Sequence, residues 1–142
     1  MENKEQVTKC VIVINSDLPL GLMANTAAVL ALTLGKRIDG IIGPDVFDAS
    51  GRCHAGITTT PIPILKSDSV KIKELRDKAA ASDFSDLLVV DFSNAAQTTT
   101  TFEAYTEKIS SFTADNLEYF GVAIYGNKKK VNNLTGSLPL LR

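Results

Sequence analysis

The run Cys10-Val11-Ile12-Val13-Ile14 limits the possible folds more than any other stretch of this chain. Every residue in it is apolar and four are β-branched, so a strand built from it has no face to turn toward water. It belongs in the middle of a sheet covered on both sides. The next residues, Asp17-Leu18-Pro19-Leu20-Gly21, read as a turn in which proline fixes φ and glycine allows close approach. A helix follows from about Leu22 to Leu34, with Gly35 as its C-terminal cap. Leu22, Met23, Ala27, Leu30, Ala31 and Leu34 form one side of it, and Ala24, Ala28, Val29 and Leu32 leave the other side apolar too. Such a helix is buried all round or meets a second copy of the chain through its outer face, which predicts a homodimer.

The rest of the chain continues the alternation of strand and helix. Gly43 to Asp48 and Arg52 to Ala55, joined through Ala49-Ser50-Gly51, read as an inserted β-hairpin. The prolines at 61 and 63 confine Pro61 to Leu65 to an edge strand or an extended connection. A covering helix is predicted from Ser67 or Asp68 to about Ala81, with Ile72, Leu75 and Ala79 inward. Leu87 to Phe92 and Gly121 to Tyr125 supply two more buried strands, and a helix between them shows Phe102, Tyr105, Ile109 and Phe112 on one face. Lys128-Lys129-Lys130 reads as a solvated hairpin tip, with room for one more short strand between Val131 and Leu141. With no repeat or linker, residues 1–142 form one domain of class α/β. The expected architecture is a three-layer sandwich around a mixed, mainly parallel four-stranded sheet.

Composition excludes several function classes. At 44% hydrophobic and 22% charged residues, the chain has too much apolar material to be disordered. A net charge of −1 gives no broad positive field for nucleic acid or anionic lipid. The apolar stretch from Leu18 to Leu34 is interrupted and short for a membrane span, and the polar start Met1 to Gln6 is neither a signal nor a transit peptide, so a cytoplasmic location is expected. Cys10 and Cys53 read as isolated buried thiols, with no metal-ligand spacing around them or around His54, and no metal or cofactor is expected. Dinucleotide, P-loop, HExxH and GxSxG signatures are missing.

In open α/β sheets, ligands gather beyond the carboxyl ends of the strands, which selects the polar groups at those ends. Asp17, Gly21, Asn25, Asp91 and Asn127 are the candidate ligand-binding residues, for a small polar molecule or a protein partner. Asp17 can instead accept backbone N–H groups at the helix start, and Asn25, inside an apolar helix, reads as a buried amide that must be pinned by hydrogen bonds. If Asp17 and Asp91 lie on neighbouring strand ends, they can form an acid/base pair or hold a hard cation. The alternative function is therefore a small hydrolase using Asp17 or Asp91 as general base. Thr98 to Thr101 read as the cap of the following helix.

The opening from Cys10 to Ala28 resembles that of peptidyl-tRNA hydrolase II, with an apolar strand, Asp-Leu, a glycine and an alanine-rich helix. A closer likeness, over almost the whole chain, is to the family called domain of unknown function 2000, whose opening similarly reads Asp-Leu-Pro, Gly and Ala-Asn. The resemblance implies a mixed four-stranded sheet between helical layers. It does not imply the hydrolase activity. With Asp17 and Gly21 matched, the places of the hydrolase's lysines hold Leu22 and Ala24, and that of its histidine holds Ala31. Toward the end, the places of its aspartate and two threonines hold Asn127, Val131 and Pro139. Ester hydrolysis on a polyanionic RNA needs charge to hold phosphate and a group to activate water, and those residues supply neither.

Overall fold

A computed structural model describes residues 7–142 of the chain. The apolar run becomes β1 (Thr8–Asn15), the strand on which the fold is assembled. Its side chains alternate between two cores, as a strand's period of two requires. Val11 and Val13 pack with Ile72, Leu75 and Ala79 of α2 (Ser69–Ala79) and with Val131 and Leu134 of α5 (Lys128–Thr135). Cys10, Ile12 and Ile14 pack with Leu30 and Leu34 of α1 (Leu20–Arg37). One sheet thus lies between a layer made by α1 and a layer made by α2 and α5. Burying a leucine as fully as Leu30 contributes about 2 kcal/mol.

The sheet order is β4-β1-β6-β5, with β4 at Ile64–Ser67, β5 at Leu88–Ser93 and β6 at Tyr119–Asn127. Among neighbouring pairs only β1 and β4 are parallel; β6 is antiparallel to both β1 and β5. The sheet is mixed, as expected, but not mainly parallel. The long connection from β5 back through α3 (Asn94–Gln97) and α4 (Phe102–Ser110) places β6 between β5 and β1 in the reverse direction. The predicted hairpin is a separate two-stranded sheet, β2 (Val46–Phe47) and β3 (Cys53–His54), with Gly51 at φ +83° in its turn. Asp48 accepts from the N–H groups of Ser50 and Arg52 there, and its other oxygen meets His54 at 2.8 Å. Those bonds hold the Asp48 carboxyl below the usual range, His54 first among the causes.

Several local expectations are corrected. Helix α1 runs through Gly35 to Arg37, and the left-handed residue is Gly40, at φ +74°. Lys128 to Lys130 are the first turn of α5, capped by Asn127, whose side chain accepts from Lys130 N. The spacing Val131, Leu134, Thr135 buries one helical face, so the stretch up to Thr135 is helix; the tail beyond it reaches the sheet beside β4, where Leu140 bridges Leu65. Cys10 is buried and Cys53 exposed. Asp68 caps α2, and Thr101 caps α4 as predicted, each accepting an N–H. The outward ridge of α1 stays open, with Leu20 and Leu32 each 79% exposed.

Candidate functional site

The strand ends do not gather the five candidate residues in one place. Asp17 is exposed, and its N–H donates to Asn15 Oδ1 at 2.9 Å; it caps nothing, because α1 starts from Pro19 without a side-chain cap. Gly21 is exposed with open space where a Cβ would stand, so no close approach requires glycine there. Asn25 is exposed rather than buried. The inward stripe of α1 is Thr26, Leu30 and Leu34, and the buried polar group is Thr26, whose hydroxyl donates to Leu22 O at 2.7 Å. Asn127 pairs with Thr8, at the opposite end of β1 from Asp17, because β6 runs backwards.

Asp91 stands apart from Asp17 as well. It is in register with Val122, which is in register with Val13, so β6 separates the two strands and the lateral distance is about 10 Å. Asp17 lies four residues beyond Val13, about 13 Å further along. The two carboxylates are not on neighbouring strands and do not form a pair. Among the described residues, no group of three or more His, Cys, Asp or Glu is placed to hold a metal ion.

Asp91 does line a cavity, of about 580 Å³, against the outer edge of β5. One wall is α1, through Val29, Thr33 and Arg37; the other is the segment Thr99–Thr101 with Phe102 and Tyr105 of α4. Its floor is Val90, Asp91 and Phe92. Neighbouring residues of a strand point to opposite faces, so a cavity touching three in a row lies along the strand's edge and not on one face. Val90 and Phe92 belong to the α1 side, while Asp91 faces α2, where Arg76 Nε donates to Asp91 Oδ2 at 3.0 Å. Burial raises the pKa of Tyr105, and the nearby Asp91 charge raises it further. Tyr119 is raised for the same two reasons, opposed by Arg76. A second cavity, of about 440 Å³, continues from Arg37 past Leu88 and Tyr125.

Ladder parity shows which main-chain groups of β5 face away from the sheet. Ile12 N donates to Pro63 O, so the even residues of β1 point toward β4 and the odd ones toward β6. Val11 and Val13 therefore bond Ile124 and Val122, and the odd residues of β6 turn to β5. There Ala123 meets Val90 and Gly121 meets Phe92. Val89 and Asp91 are left with N–H and C=O directed away from the sheet. Sequence reasoning placed Tyr105 on the apolar face of a helix and the threonines in capping, and did not single out Arg37.

Comparison with known proteins agrees with the fold. Residues 8–142 match the family model described as Protein of unknown function (DUF2000). The chain belongs to the DUF2000 family. No curated protein matches it. A solved structure of a protein of unknown function from Agrobacterium tumefaciens is similar over 97% of this chain and 100% of that one, at a TM-score of 0.87 and 20% identity. At that identity the likeness concerns the fold alone. Among the described residues, no helix is long and apolar enough to cross a membrane.

Proposed function

We propose that this DUF2000 chain is a binding domain whose site is the recess along β5, taking a ligand with an apolar body and a hydrogen-bond donor. One observation carries the reading: the recess gathers Val29, Phe92 and Phe102 with Asp91, Arg37 and Tyr105 in a single lining. Its volume falls in the range of sites that enclose small organic molecules. Arg76 engages one oxygen of Asp91, which leaves Oδ1 for a donor on the ligand. Arg37 offers donors on the opposite wall. A hydrolytic role for Asp91 as general base competes with its bond to Arg76, and Asp17 is too far away to assist.

The family's likeness to the peptidyl-tRNA hydrolase II group extends this reading to the fold, supported by the chain's opening and by its mixed sheet between helical layers. The open ridge of α1 supports pairing of two copies. The test of the binding reading is a thermal-shift panel of small aromatic and aliphatic amines, alcohols and carboxylates. A compound at a hundredfold excess over its Kd stabilises the fold by about 2.7 kcal/mol. The variant Val29→Trp, which fills the recess, is expected to abolish that shift. A shift that survives in the variant assigns binding elsewhere.

A further inference from the structure

The open edge of β5 narrows the class of ligand. Resting on the binding reading above, we infer that the recess takes an extended peptide segment, which adds to β5 as a fifth strand of the central sheet. Val89 and Asp91 each present an N–H and a C=O outward, and no ladder partner covers that side among the described residues. Two such residues lie about 7 Å apart, the repeat at which a paired strand exchanges its hydrogen bonds. The larger cavity touches β5 at Val90, Asp91 and Phe92, three consecutive residues or about 7 Å of strand. That suits a short extended segment lying along the edge, with two or three of its residues inside the recess.

The side chains on the two faces define the peptide's pattern. A strand laid against β5 turns alternate side chains toward Val29 and Phe92 on the α1 side and toward Asp91 on the other. The segment that fits alternates apolar residues with residues that donate hydrogen bonds, lysine among them. A second copy of this chain, joined β5 to β5, is a poorer occupant. The recess is walled by α1 and by α4, and a sheet edge carrying its own helical layers is too thick to enter between those walls.

The probe is an N-acetylated, C-amidated hexapeptide alternating valine and lysine, added to the isotopically labelled full chain. Binding is expected to slow hydrogen exchange at the Val89 and Asp91 amides by at least about tenfold, while the Val90 amide, already bonded to Ala123, changes little. N-methylating the peptide amides on the side that faces β5 is expected to weaken binding about tenfold; methylating the other set leaves it unchanged. Val89→Pro, which deletes one outward N–H, is expected to weaken binding about fivefold, with circular dichroism confirming the fold. If it does not fold, the two methylated peptides decide the question.

Three outcomes overturn the inference in distinguishable ways. If the hexapeptide leaves Val89 and Asp91 unprotected while a small amine or carboxylate still perturbs Val29 and Tyr105, the peptide class is wrong and the binding reading survives. If neither probe perturbs the recess, both readings fall. If Val89 and Asp91 are already protected in the chain alone and lose that protection on dilution, a second copy is the occupant.

Discussion

Strands β4 and β5 are the two edges of one four-stranded sheet, yet the chain closes the first and leaves the second open. Beside β4 the C-terminal tail runs back as a partial fifth strand: Lys66 N donates to Pro139 O at 2.9 Å and Leu141 N to Ile64 O at 2.8 Å. Leu138 and Leu141 pack onto the two cores on either side of it. Beside β5 the outward amides of Val89 and Asp91 have no such partner among the described residues, and Asp91 lines a recess instead. An exposed edge invites pairing with another chain, and proteins usually blunt it. Here the edge is set back, because α1 and the segment 99–105 wall the recess beside it. The contrast shows that a strand's place at an edge does not determine its exposure; what the following segment does with its spare length decides it.

The strongest way to break this contrast is proline, which removes one N–H and tests where that N–H points. Val90→Pro deletes a donor to β6 and is expected to cost about 3 kcal/mol or more in urea unfolding. Val89→Pro deletes an outward donor and is expected to cost about 1 kcal/mol, mostly from lost side-chain packing. Equal costs at the two positions would show that the outward parity of Val89 and Asp91 is wrong.

The sealed side is tested next through Cys10, on the β1 edge that faces β4. Burial pushes its thiol up to about 11 from an ordinary 9.0. The folded state then keeps a proton that the unfolded chain releases, so the contribution is intact below pH 9 and is lost as pH rises toward 11. The shift corresponds to about 3 kcal/mol. Chemical denaturation across that range, compared with Cys10→Val, isolates the thiol from the alkaline titration of Tyr105 and Tyr119, whose pKa values are also raised. An unchanged alkaline slope in the variant would mean that water reaches the thiol. Ending the chain at Ser137 is the smaller perturbation, with an expected loss of about 2 kcal/mol from two backbone bonds and two partly buried leucines. The Lys66 amide should then exchange faster while that of Asp91 is unchanged.

These regions also show how far the sequence could be read. The β1 run is legible because a wholly apolar, β-branched strand has one kind of place to go, and Asp68 and Thr101 are legible because capping is local chemistry. The direction of β6 is not local: Gly121 to Tyr125 reads as a buried strand in either orientation, and taking it as parallel moved Asn127 to the wrong end of the sheet. Asn25 was misplaced for a related reason. When a helix is apolar nearly all round, its pattern does not say which stripe faces the sheet, and here the stripe is set by Thr26, whose methyl would lie 2.7 Å from a Cβ at Gly121. Asp91 was legible as a polar residue in an apolar strand. Its companions Arg37, Thr33 and Tyr105 were not, because three separate helices and loops converge there only in the folded chain.

The finest test of the open edge sets its charged pair against a pair in solvent. Arg76 and Asp91 meet at 3.0 Å with side chains 28% and 21% exposed; Lys130 and Asp86 meet at 2.8 Å with 39% and 58% exposed. Asp91→Asn leaves a partly buried guanidinium without its counter-charge and is expected to cost about 1 kcal/mol. Asp86→Asn should be close to silent, because water screens an exposed pair and side-chain ordering offsets most of what remains. The same Asp91→Asn variant has a second readout. Burial is the larger cause of the raised Tyr105 pKa and the Asp91 charge the smaller, so an ultraviolet titration of the phenol should move only part of the way back to its ordinary value. A full return would assign the whole shift to charge, and with it a wetter recess than one that favours an apolar ligand; no movement would place Asp91 out of reach of Tyr105 and remove it from the site.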